Sequence, residues 1–252
     1  MTRFFSTASP VAFGVLAFGV LASTGCDQET ADTCSVSNDA LSLVAIVVDN
    51  GVKLRAEIDF ESGDRTGLPN PLQVCDSETL TIGGESPTVT EKGDRIVYSV
   101  TLPLDTPPEV AFVLERNGED EVEVRVSRPP SFSVTAPDDG QTVPRSEDLT
   151  LMWSPTVEGS EMLVSVEEDV GYGLCVVTQE GEHHYKTRVG VPVPDSGQWT
   201  IPAGAVTSET PGPCAAFYNL RRVLRSPYPA DLAEGGFVEA RVLRTVEIES
   251  VP

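Results

Sequence analysis

Two adjacent histidines, His183 and His184, are the whole imidazole supply of this 252-residue chain. A serine triad needs an imidazole to carry the proton. Neighbours on a strand point to opposite faces, so one of the two at most can serve a given site. No Gly-x-Ser-x-Gly elbow accompanies them. A zinc centre would recruit Glu180, Glu182, His183 and His184, but neither a His-Glu-x-x-His nor a Cys-x-x-Cys spacing is present to converge them. The segment reads as a polar loop or strand edge. Calcium would need clustered oxygens, for which Asp138-Asp139, Glu119 to Glu123 and Glu167-Glu168-Asp169 are the candidates. None follows an EF-hand loop, and each reads equally as a turn or a solvated hairpin tip. Ile82-Gly83-Gly84 and Glu234-Gly235-Gly236 read as strand-end turns and not as phosphate cradles. No catalytic residue, metal site or cofactor is expected.

Arg221, Arg222 and Arg225 could grip an anion, or serve as internal partners for surplus acids. The surplus is large: 39 acids stand against 17 basic residues, a net charge of −22. Such a field repels nucleic acid and anionic membrane surfaces, so no nucleic-acid partner is expected. Of the two tryptophans, Trp153 fits a core, and Trp199 fits either a core or a sugar-stacking platform, the core being favoured.

The cysteines carry a different chemistry. There are five, and residues 1–25 ahead of the first comprise a short cationic start ending at Arg3, an apolar run from Val11 to Ala22, and the small residues Ser23, Thr24 and Gly25. That is the build of a secretory signal. The run is about a dozen residues, against about 20 for a membrane-crossing helix. Removing residues 1–25 takes the length to 227 and, because Arg3 leaves with no acid, the net charge to −23.

Leu21-Ala22-Ser23-Thr24-Gly25-Cys26 resembles the lipobox of bacterial lipoproteins, in which a small residue precedes a cysteine that receives diacylglycerol and becomes the mature N-terminus. The family usually places Leu three residues before the cysteine; here Ser23 holds that position and Leu21 lies two further back. The resemblance implies an exported protein, periplasmic or on the cell surface, held to a membrane by lipid on Cys26. Ordinary signal cleavage, with Cys26 free or in an intermolecular bridge, is the alternative. With Cys26 lipidated, Cys34, Cys75, Cys175 and Cys214 remain as an even set in an oxidising compartment.

The elements around these residues read as strands. Helical periodicity is nearly absent from the mature region, and short alternating or β-branched runs recur between turn signals, which predicts an all-β protein. Leu41 to Val48 and Val52 to Phe60 flank Asn50-Gly51, the pair that tolerates the positive φ of a tight hairpin. Further strands are expected at 78–82, 94–102, 109–115 and 121–127, the last two around Asn117-Gly118. Six or seven strands in under 100 residues is the count of an immunoglobulin-like sandwich. Arg128-Pro129-Pro130 reads as a junction, since consecutive prolines cannot donate to a ladder. The expected layout is a signal at 1–25, a lipidated tether at 26–33, one sandwich at 34–128 and a second at 129–252. With one bridge per sandwich, Cys34 pairs with Cys75 and Cys175 with Cys214, one of three possible pairings. In the last run, Val238, Ala240 and Val242 alternate with charged residues and Val246 and Ile248 resume after Thr245, a change of phase past Leu243 that is read as a bulge or bend.

Residues 132–155, with Pro137-Asp138-Asp139-Gly140 and Trp153, resemble the opening of bacterial immunoglobulin-like and fibronectin type III-like modules. The two-module layout is similar to envelope lipoproteins of myxobacteria-like organisms. These likenesses imply a sandwich fold and no particular activity. The expectation is a non-enzymatic, membrane-anchored interaction, adhesion or structural module with a protein or glycan partner. A carbohydrate- or calcium-binding surface protein comes second and an unrecognised hydrolase last.

Overall fold

The computed structural model describes residues 31–63, 70–168, 175–177, 190–208 and 212–252. The fold is all-β, with 3₁₀ turns and no α-helix among the described residues. In chain order the strands are β1 (Ala31–Asp32), β2 (Leu41–Asp49), β3 (Leu54–Ser62), β4 (Pro71–Gln73), β5 (Thr79–Ile82), β6 (Thr88–Lys92), β7 (Arg95–Leu102), β8 (Glu109–Glu115) and β9 (Val122–Ser127). They continue as β10 (Ser133–Ala136), β11 (Gln141–Pro144), β12 (Leu149–Ser154), β13 (Glu161–Glu168), β14 (Cys175–Val177), β15 (Val191–Pro194), β16 (Gln198–Ile201), β17 (Val206–Ser208), β18 (Cys214–Ser226) and β19 (Phe237–Val251).

One large mixed sheet runs through the molecule in the order β1-β4-β3-β2-β19-β18-β13-β15. The sheet β5-β8-β9 supplies Leu80, Ile82, Val110, Phe112, Leu114, Val122, Val124 and Val126 to the first core, opposite Leu43, Ala45, Ala56 and Ile58 of the large sheet. The sheet β10-β12-β16 supplies Leu149, Leu151, Trp153 and Ile201 to the second, opposite Met162, Val164, Tyr218 and Leu220. Each core is therefore the filling of a sandwich whose inward residues alternate with outward polar ones.

The β2–β3 hairpin turns on Gly51, whose φ is +81°. The Asn50 side-chain oxygen accepts from the backbone N–H groups of Val52 and Lys53 at 3.1 and 2.9 Å. This is the local hydrogen bonding that makes asparagine a turn residue.

The last strand connects the two cores. Phe237–Val242 of β19 pair in parallel with Val44–Asp49 of β2, and Ile248–Val251 pair in parallel with Gln141–Pro144 of β11. Along its whole length β19 also runs antiparallel to β18, Cys214–Ser226 facing Val238–Ser250 with no register shift. Leu232, Val238 and Ala240 belong to the first core, and Val242, Val246 and Ile248 to the second. The first core thus draws on residues more than 100 positions beyond Arg128. The strand enters at Gly236, where a Cβ would lie 2.1 Å from the Leu43 carbonyl oxygen, so only glycine fits this close approach.

The predicted bulge near Thr245 is absent. Val238, Ala240, Val242, Val246, Ile248 and Ser250 all face inward on one unbroken alternation. What interrupts the hydrophobic pattern is Arg244, an arginine at an inward position. The N-terminal segment also differs from a loose tether, since Ala31–Asp32 pair with Leu72–Gln73. Arg116 donates to the carbonyl oxygens of Thr33 and Val36, to Asn38 Oδ1 at 2.6 Å and to Glu78 Oε1 at 3.1 Å. Disulfides join Cys34 to Cys75 and Cys175 to Cys214, with Cα–Cα distances of 5.7 and 5.2 Å. Each closes a loop of about 40 residues, which a chain-entropy account credits with about 4 kcal/mol.

Because three residues of the first core arrive on the C-terminal segment, a chain of residues 31–128 alone is expected to show no cooperative transition in urea followed by circular dichroism. A chain of residues 31–252 is expected to show one. A sharp transition from the short chain would contradict the shared-strand arrangement.

Candidate functional site

The three consecutive-looking arginines of β18 have two different fates, because strand neighbours alternate faces. Arg222 follows Ala216, Tyr218 and Leu220 on the inward face and is fully buried. Arg221 and Arg225 lie on the outer face with Val223.

Arg222 is held by four hydrogen bonds. Its Nε donates to Asp195 Oδ2 at 2.8 Å and its Nη2 to Asp195 Oδ1 at 3.2 Å. Nη1 donates to the Pro130 carbonyl at 2.8 Å and Nη2 to that of Pro155 at 2.6 Å. Asp195 also accepts from Trp153 Nε1 at 2.7 Å, from the Val157 N–H at 3.2 Å and from Ser160 Oγ at 2.5 Å. Burial alone would push the Asp195 carboxyl up; the bonds from Ser160, Trp153 and Arg222, with the Arg222 charge, outweigh that and hold it below its ordinary range. The Arg222 guanidinium lies 4.9 Å from the ring centre of Phe132, and that of Arg244 lies 5.8 Å from the same ring. Arg244 donates in turn to the carbonyl of Phe132 at 3.1 Å, to Ser131 Oγ at 2.6 Å and to Asp49 Oδ1 at 3.2 Å. Arg222 and Arg244 are diagonal neighbours on the inward face of β18 and β19, where the hairpin leaves one core for the other.

The outer face of the same strands forms the floor of an open groove of about 1060 Å³. Cross-strand register sets its rows: Pro192, Leu163, Arg221 and Leu243 lie side by side, then Pro194, Glu161, Val223 and Arg241, then Arg225 and Glu239. The 157–160 loop walls one side, and Asp195 anchors that loop through Val157 and Ser160. Glu239 is buried, with Oε2 accepting from Arg225 Nε at 3.4 Å and Oε1 from Arg241 Nε. Arg221 donates to Ser165 Oγ at 3.3 Å and lies 3.8 Å from Glu167. Burial, then the neighbouring Arg241 charge, lower the Arg221 guanidinium from its usual range. Leu224 and Phe237, both substantially exposed, also line the groove. A second cavity, beside Arg145 and Tyr218, has about 20 Å³, room for roughly one water.

The other candidates separate clearly. Cys26, His183, His184, Glu180, Glu182 and Asp169 lie outside the described residues. Asp139 Oδ1 accepts from the Glu247 N–H at 2.9 Å, and Asp138 sits in the same turn, where its N–H bonds to Gln141. Glu123 pairs with Arg125 on an exposed strand face. No group of three His, Cys, Asp or Glu side chains converges as metal ligands among the described residues. Trp153 is buried in the second core and Trp199 packs partly buried against it. Asp195, Phe132, Arg241, Glu239 and Arg244 were not singled out by sequence. A charged residue at an inward position of an alternating strand is the signal that could have found Arg244; Asp195, Phe132, Arg241 and Glu239 carry no such mark.

No family model matches the chain. A stretch of it is similar to zinc finger and BTB domain-containing protein 44 of Homo sapiens, 36% identical over 117 residues, which is 44% of this chain and 20% of that protein. The counterpart from Mus musculus is 38% identical over 111 residues, 40% of this chain and 23% of that protein. The chain spans about a fifth of the length of these curated relatives. Zinc-finger ligand spacing is absent here: no two cysteines are separated by two to four residues, and the histidines are adjacent.

Arg222→Ala leaves the Asp195 carboxylate buried without its cation, and is expected to lower stability in urea by about 3–5 kcal/mol. The carboxyl is held below its ordinary value of 3.8 in the folded protein, so the stability it contributes is present above that value and is lost as pH falls through the folded one. The stability gap between wild type and Asp195→Asn, read from urea titrations between pH 6 and pH 2.5, should therefore narrow below about pH 4.

Proposed function

We propose that this protein works outside the cytoplasm as a non-enzymatic interaction module anchored by lipid on Cys26, with the groove over β13, β18 and β19 as its working surface. The observation that carries the reading is the groove itself: a concave surface of about 1060 Å³ whose floor mixes three arginines with apolar side chains, in a chain of net charge −22. Two disulfides fit an oxidising, extracytoplasmic compartment. No helix among the described residues is long and apolar enough to cross a membrane. Attachment through the N-terminus accords with the way the chain begins its fold. Four residues lie between Cys26 and Ala31, the first residue with described strand pairing, a reach of at most about 18 Å. The groove's described lining has Phe237 as its aromatic side chain, which favours a peptide-like partner over stacked sugar rings.

Two readouts test the proposal. Mass spectrometry of protein from native envelope should show an N-terminal peptide beginning at Cys26 with its acyl mass, and Cys26→Ser should move the protein out of the membrane fraction. A photo-reactive residue in place of Phe237 should give a discrete adduct in intact cells that the same residue at exposed Val52 does not. Membrane retention of Cys26→Ser, or equal adducts from both positions, would overturn the proposal.

A further inference from the structure

The groove's cations are arranged with a regularity that fits one kind of ligand. Arg221 and Arg225 are four residues apart on one face of β18, about 13 Å along the strand. Arg241 stands beside Val223, the residue midway between them. The three arginines therefore occupy three successive rows of the sheet face at a step of about 6.8 Å, which is also the repeat of same-side residues in an extended chain.

Their hydrogen-bonding capacity is unevenly used. Arg225 and Arg241 each place Nε on the buried Glu239, and the paired Nη groups of both have no hydrogen-bond partner among the described residues. The Arg225 side chain is 81% exposed. A guanidinium fork presented this way matches a carboxylate with two parallel bonds. Glu239 already receives a donor on each oxygen, so it fixes the fork directions while leaving the outer edges facing the groove. Between the cations lie apolar positions: Leu163 and Pro192 beside Arg221, Val223 beside Arg241, and Phe237 toward the end where β19 begins. Arg221 and Arg241 repel one another, and an anion set across both relieves this.

We infer that the groove takes an extended peptide segment of a partner protein with a carboxylate at every second position, the acids meeting Arg221, Arg241 and Arg225 and their methylene stems crossing the apolar floor between them. The inference rests on the groove being the working surface. Charge selects among anions as well. The remaining field of the molecule opposes dense polyanions, whereas three carboxylates spaced along a peptide meet the arginines locally.

The probe is a capped heptapeptide of alternating leucine and glutamate, titrated by calorimetry into the full mature chain, with the leucine–glutamine peptide and an oligogalacturonate of equal charge as comparators. The glutamate peptide should bind at least tenfold more tightly than either comparator. Arg225→Ala removes an 81% exposed side chain while Arg241 still pairs with Glu239, and should weaken it about tenfold in a variant that still shows one cooperative thermal transition. Equal binding of the glutamine peptide, or no effect of Arg225→Ala, would overturn the inference. Preference for the oligogalacturonate would replace the peptide by an acidic glycan. If no probe binds while the adduct at position 237 persists, the ligand class is wrong and the groove's role stands; loss of the adduct as well removes both.

Discussion

The buried pair of Arg222 and Asp195 is the constraint on which the rest of the second sandwich depends. Removing two charges from water costs several kcal/mol per ion, so such a pair persists only where good geometry and further hydrogen bonds offset that cost. Here the partners are spread along the chain: Pro130 at the junction, Trp153 in the core, Pro155 just beyond the end of β12, and Val157 and Ser160 in the groove wall. Satisfying one ion pair therefore fixes the approach of three separate segments. Phe132, lying against the guanidiniums of Arg222 and Arg244, adds the start of the second sandwich to the same assembly.

Arg244 does for the first sandwich what Arg222 does for the second, since its guanidinium reaches back to Asp49 at the tip of the β2–β3 hairpin. Both arginines sit on the inward face of one uninterrupted hairpin, β18–β19, at the point where its lining changes from one hydrophobic core to the other. A long cation there lies against the Phe132 ring and also spans from strand to linker, where it satisfies the carbonyls of Pro130, Phe132 and Pro155. The same hairpin turns its opposite face outward as the groove floor. Strand alternation thus places the buried ion pair on one side and the groove floor on the other, with Asp195 linking them through the 157–160 loop.

Much of this was legible in the sequence. Strands with clean alternation, such as β8 and β9, and the hairpin at Asn50-Gly51 fall within a residue or two of where the pattern put them. Other elements carried no pattern to read. The edge strand Thr88–Lys92 is exposed at every position, so it lacks the two-faced alternation that reveals a strand. The arginine-interrupted stretch of β19 was read as a bulge because a polar residue at an inward position looks, in one dimension, like a change of phase. Arg221, Arg222 and Arg225 were visible as a cluster, but whether each met an anion or an internal acid depended on strand parity. Arg241, Glu239 and Asp195 could not be joined to them without knowing that β18, β19 and β15 share a sheet. Pairing across 100 residues or more leaves no trace in local sequence.

Native-state hydrogen exchange on Asp195→Asn tests the central claim most directly, that one ion pair holds both the junction and the groove wall. The account predicts faster exchange at residues 131–134 and 157–160, with the Cys34–Cys75 region and the β2–β3 hairpin as protected as in wild type. Uniform loss of protection across both sandwiches, or no change at 157–160, would show that the pair is merely one buried contact among many and would contradict the account.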